Sequence, residues 1–203
     1  MRKIALLAVL IAAVPLASWA SSSVDFQGFN GKGYYKNGVL STGNGGSHFS
    51  IINGMGGKSL SGPNLGHIAF STGKLTHGSL THGGTFAAGG SFTIMGNGKS
   101  GVPGGALFAG KFSGPVTLAV SVSGGIYHYT ITGAIAGMWG GKLVNGTVTL
   151  NLVGTKVCPT CLHFVGGDVN IALPVPEPGT LSLLGTGLLG LAGVVRRRSL
   201  HHV

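Results

Sequence analysis

Apolar and polar residues alternate along much of this chain, most clearly in its second half. Val116, Leu118, Val120 and Val122 alternate with Thr117, Ala119, Ser121 and Ser123. That period of two marks a strand with one buried face. Gly124-Gly125 suits a two-residue hairpin turn. The return strand, 126–135, sets Tyr127, Tyr129, Ile131 and Ile135 against His128, Thr130 and Thr132. In 143–153, Val148, Leu150 and Leu152 face inward against Thr147, Thr149 and Asn151, and 168–173 repeats the pattern with Val169, Ile171 and Leu173. Earlier strands are expected at 24–29, 47–52, 65–71, 85–94 and 106–113, with most of 31–66 read as loop because it is rich in Gly, Asn and Ser.

About ten short strands with almost no helical period predict a mainly β domain, an antiparallel β-sandwich or barrel-like fold with Gly-rich turns. Glycine inside strands, as at Gly110, Gly114 and Gly133, suggests bulges or sharp bends. A parallel β-helix would need a fixed repeat, and the chain offers only the echo Leu75-Thr76-His77-Gly78 and Leu80-Thr81-His82-Gly83. Composition tests this reading, because 40 glycines and 8 prolines in 203 residues approach the low-complexity range. A hydrophobic content of 43%, kept in alternation, argues for a folded chain.

Both ends break the pattern. Arg2 and Lys3 precede an apolar run over 4–16, and Ser18-Trp19-Ala20 forms a small-x-small cleavage site. This predicts a secretory signal helix over 1–20, cut by signal peptidase between Ala20 and Ser21; a retained anchor is the alternative. At the other end, Pro176 and Pro178 hold Glu177 extended. A predicted transmembrane helix follows over about 179–195, roughly 25 Å long at about 1.5 Å per residue, within the working range for a bilayer core. Arg196, Arg197 and Arg198 form a basic membrane stop that stays cytoplasmic by the positive-inside rule. An ordinary single anchor is the plainer reading of this helix alone.

The segment 174–203 resembles the PEP-CTERM sorting signal of exopolysaccharide-making Gram-negative bacteria. Val175, Pro176, Glu177 and Pro178 correspond to its Val-Pro-Glu-Pro motif, 181–195 to its helix, and Arg196 to Arg198 to its basic stop. The resemblance implies an exosortase as processing partner, transient anchoring in the inner membrane, loss of the helix near the Pro-Glu-Pro motif, and export to the cell surface or extracellular matrix. The logic parallels anchors whose hydrophobic tail is discarded. One domain, 21–173, remains between the two signals.

Removing the ends changes the charge. The chain carries a formal +10, but 21–173 keeps eight lysines, no arginine and only Asp25 and Asp168, about +6. Acidic exopolysaccharide is a candidate partner. Nucleic acid is not expected, since no arginine-rich or aromatic-basic recognition pattern occurs.

Two carboxylates, one near each end of the domain, starve most enzyme chemistries. A glycosidase needs a pair across the scissile bond, no Gly-x-Ser-x-Gly elbow occurs, and calcium sites need more oxygen ligands. No catalytic residue, cofactor or metal site is predicted. A hydrolase would require Asp25 and Asp168 to meet in one pocket with His77 or His82. His77 and His82 fall on opposite faces of an unbroken strand, and His48, His67 and His128 are scattered without ligand spacing. Cys158 and Cys161 are expected as a disulfide tightening the loop 156–166 of an exported protein; a metal site using His163, or free thiols, are the alternatives. Two functions follow: a non-catalytic scaffold or adhesion protein, or a glycan-binding module stacking sugars on Tyr34, Tyr35 or Trp139, with Tyr129 a further ring.

Overall fold

The computed structural model describes residues 22–155 and 158–173, without the side chains of 44 and 158–160. The predicted signal helix, the transmembrane helix and the Val175–Pro178 motif lie outside the described residues, as do Ala20, Ser21 and Arg196 to Arg198. Among the described residues there are strands and turns and no helix.

The strands are β1 (Ser22–Gln27), β2 (Asn30–Lys36), β3 (Val39–Met55), β4 (Lys58–Ser71), β5 (Leu75–Ser79), β6 (Gly83–Phe86), β7 (Gly89–Asn97), β8 (Gly104–Phe112), β9 (Val116–Ser123), β10 (Ile126–Trp139), β11 (Lys142–Thr155) and β12 (Cys158–Leu173). All pairings are antiparallel, and the ladder closes through β2, β3, β4, β7, β8, β10, β11 and β12 back to β2. The fold is therefore a barrel rather than a sandwich. β1 extends the stave of β2, bridging β12 and β3.

At the other end, β10 changes partner. Residues Ile126 to Thr132 pair with β9, and Ile135 to Trp139 pair with β8. β9 carries on to β6 and β5, and Leu75 N donates to Gly38 O at 2.7 Å, tying that branch back to the β2–β3 hairpin. Closure leaves few free edges, the usual liability of a sheet.

Hairpin turns set the registers. Asn37-Gly38, Gly56-Gly57, Gly124-Gly125 and Gly140-Gly141 all have positive φ at both central residues, the type I′ requirement that matches strand twist. Three of these turns join the strands from Asn30 to Ser71 and from Ile126 to Thr155 into long hairpins.

All nine phenylalanines are buried. Phe70 stacks on Phe92 with ring centres 5.9 Å apart, while Phe108 and Phe112 meet Phe92 edge-on at 6.2 and 5.6 Å. Each ring removed from water contributes about 1.5–3 kcal/mol. Tyr129, Ile131, Ile135, Val148, Leu150, Leu152, Val169 and Ile171 point inward as their alternation predicts.

The structure corrects three expectations. Residues 31–66 are largely β2, β3 and β4, because paired glycine turns and an apolar interior stabilise strands whose composition looks loop-like. The expected strand 85–94 is two, since β6 pairs with β9 whereas β7 pairs with β4 and β8. The expected loop 156–166 belongs mostly to β12, whose first residue, Cys158, already pairs with Thr155. Of the glycines expected to mark bulges or bends, Gly110 adjoins the register shift between Gly89 and Phe92 on β7, Gly133 lies where β10 passes from β9 to β8, and Gly114 falls between β8 and β9 rather than inside a strand. The bare backbone at Gly110 and Gly133 makes room for neighbouring backbone and for Phe112.

Candidate functional site

Three features on the outer surface carry chemistry. The first is an open groove on β2 and β3 of about 940 Å³, lined by Lys32, Tyr34, Tyr35, Lys36, Gly43 and His48 among others. It exists because β3 bulges: Gly33 pairs with Thr42 and Gly31 with Ser47, so 43–46 loop out of the ladder. Strand alternation turns Lys32, Tyr34 and Lys36 outward. Tyr34 is 42% exposed, and its ring lies over Gly43, where a side chain would stand 2.5 Å from Cε2. His163 lies opposite Lys32 on β12 and borders a smaller adjoining hollow with Tyr34 and Cys161.

The expected aromatic contacts therefore separate. Tyr34 is presented to solvent. Tyr35 is half-buried against the core, with Phe86 edge-on at 6.4 Å. Trp139 packs against the core beside Phe26, 6.1 Å away, and Tyr129 is buried, its hydroxyl pKa raised by burial and then by Tyr127.

The second feature joins the two acids that the sequence holds far apart. Asp168 pairs with Gln27 and Asp25 with Asn170, so the carboxyls are diagonal neighbours on one face. Gln27 Nε2 donates to Asp25 Oδ2 at 2.5 Å, while Asp25 Oδ1 is buried and has no donor unless Asp168 carries a proton. Burial, a hydrogen bond to Asp25 and the nearby Asp25 charge push Asp168 from 3.8 up to about 7. Two carboxyls this close share a proton. The pair lines neither the groove nor the hollow, and His77 and His82 sit on β5 and its following turn, which pair with β6 rather than β1 or β12. His82 is held by Ser79 Oγ and Thr81 Oγ1 at 3.1 and 3.0 Å from Nδ1.

The third feature is a pair that the sequence did not suggest. His48 and His67 face each other across β3 and β4, with ring centres 6.1 Å apart. Burial and then the His48 charge lower the His67 pKa. The available signal was Gly56-Gly57, a hairpin turn nearly equidistant from both histidines. Cys161 is disulfide-bonded; the side chain of Cys158 lies outside the described residues. Among the described residues no three His, Cys, Asp or Glu side chains cluster as metal ligands.

Residues 174–198 match the PEP-CTERM protein-sorting motif. The chain carries a PEP-CTERM sorting domain. The motif implies an exported protein, processed by an exosortase and transiently anchored in the membrane at its C-terminus. The PEP-CTERM tail begins directly after β12, whose last residue, Leu173, pairs with Ser22 at the start of β1. No curated protein and no solved structure matches the chain.

Proposed function

We propose that the mature protein is a non-catalytic scaffold or adhesion protein of an extracellular polysaccharide layer, and that it holds acidic glycan in the β2–β3 groove. The observation that carries this reading is Tyr34, exposed on the outer face between Lys32 and Lys36. A sugar ring stacks on a phenol face, and flanking ammonium groups attract carboxylates or sulfates. His48 and His163 add polar donors around the same surface.

Export supports the reading. A signal peptide over 1–20, removed after Ala20, delivers the domain, and the sorting tail retains it until an exosortase releases it to the surface or matrix. The absence of catalysis is supported by the carboxylate inventory: the acid pair does not line the groove, and His77 and His82 belong to the β5–β6 branch rather than to β1 or β12. A disulfide between Cys158 and Cys161 would suit the exported compartment and would stiffen the start of β12 next to the hollow.

The test is binding to immobilised acidic and neutral polysaccharides. Retention on the acidic matrix, weakened by salt and by Tyr34→Ala or the Lys32→Glu/Lys36→Glu pair, supports the proposal. Equal retention on both matrices, unaffected by these substitutions, overturns the glycan reading and leaves the scaffold role without a ligand.

A further inference from the structure

His48, His67 and Met95 occupy one row across three adjacent strands. His48 on β3 is directly opposite His67 on β4, and His67 is directly opposite Met95 on β7. Their neighbours Phe49, Ile68 and Ile94 are fully buried, so alternation turns all three side chains to the outer face. His48 is exposed, and His67 and Met95 are half-buried.

We propose that these three side chains form a copper(I) site. The donors are two imidazoles and a thioether, with no carboxylate among them. Thioether sulfur selects soft ions, copper(I) above all, while imidazole serves copper equally well. Zinc favours four ligands in a structural site and three plus water in a catalytic one, drawn from Cys, His, Asp and Glu. No third residue of those types joins the histidines among the described residues.

The spacing suits the ion. A metal about 2 Å from each ring nitrogen lies roughly 3 Å from each ring centre, so imidazoles sharing one ion at a wide angle have centres about 6 Å apart. The observed separation of His48 and His67 is 6.1 Å. Residues directly opposite in a ladder hold their Cβ atoms about 4.5–5.5 Å apart, and three rotatable bonds let the Met95 sulfur swing toward the His67 ring.

The bulge makes space for the arrangement. Gly46, at φ +73°, sits where a side chain would approach His67 Cδ2 to 2.7 Å and the Ile68 carbonyl oxygen more closely still. A bare residue here lets the His67 imidazole lie beneath the loop.

The site shares His48 with the groove but does not depend on glycan binding. The test is competition for copper(I), kept reduced by ascorbate, between the full-length protein in detergent and a chromophoric copper(I) chelator. Wild type is expected to take up one equivalent more than His67→Ala; ions held elsewhere, as by His201 and His202, cancel in that difference. Met95→Leu is expected to weaken the site roughly tenfold or more and to remove the sulfur scatterer from the copper X-ray absorption spectrum. Circular dichroism verifies that each variant folds, with His67→Gln replacing His67→Ala if the smaller residue disturbs the barrel. Equal copper(I) uptake by wild type and the His67 variant overturns the site. Unchanged affinity in Met95→Leu, or tighter retention of zinc than of copper(I), overturns its assignment to copper.

Discussion

Asp168 stands diagonally across the β1–β12 ladder from Asp25, close enough to share a proton with it on the outer wall of the barrel. A raised folded pKa fixes the sign of the consequence. Below the ordinary value of 3.8 both folded and unfolded chains carry the proton, and the pair costs nothing. Between 3.8 and about 7 the unfolded chain has released a proton that the folded chain keeps. Stability from this group therefore falls as pH rises through that window.

Asp168→Asn removes the repulsion. After allowance for solvent screening of a surface-facing group, the expected gain at pH 8 is about 1 kcal/mol, or roughly 2–4 °C in melting temperature. Thermal melts of wild type and variant at pH 4, 6 and 8 check this. The difference should grow with pH, and a difference that is constant or shrinks would refute the shared proton.

Phe92 touches three rings of the aromatic cluster, Phe70, Phe108 and Phe112. Phe92→Ala should cost about 3–5 kcal/mol through lost transfer and a residual cavity. Urea denaturation gives the value directly, and a loss below about 1 kcal/mol would mean that the interior is not packed as described.

Tyr34 and Tyr35 are adjacent in sequence but opposed in role. Tyr34→Ala should leave stability within about 0.5 kcal/mol, as is usual for exposed positions, and reduce retention on acidic polysaccharide. Tyr35→Ala should destabilise the barrel by about 2 kcal/mol or more through the lost contact with Phe86. Paired melting and binding measurements separate the two effects; the reverse assignment would move the groove to the wrong face.

Processing leaves chemical ends that mass spectrometry can read. The exported protein should begin at Ser21 and end close to Pro176, Glu177 and Pro178. Replacing Pro176, Glu177 and Pro178 by alanine should hold the full tail in the membrane fraction. Recovery of 181–198 within the protein of the surrounding medium would contradict release by an exosortase.

Alternation made the second half of the barrel readable. Within 116–122, 127–135 and 148–152 the apolar residues recur with a period of two, Gly124-Gly125 marks the turn, and Tyr129, Ile131 and Leu150 are buried as expected, although Val122, at the end of its strand, is exposed. The first half was hidden by its glycines. The hairpin signals Asn37-Gly38 and Gly56-Gly57 were present, but bulges in β3 shift the register between Ser41 and Ser47 and again between Phe49 and Ile51, which breaks the period that would have exposed the strands.

The sequence by itself determined the class of the domain, its major interior faces and the address at its C-terminus, because periodicity and linear motifs are written in local order. Which residues meet was decided by tertiary structure. Asp25 finds Asp168 only because β1 pairs with β12, and His48 finds His67 and Met95 only because β4 lies between β3 and β7. Closing a barrel brings together positions far apart along the chain, and ladder register, not sequence spacing, sets which side chains become neighbours.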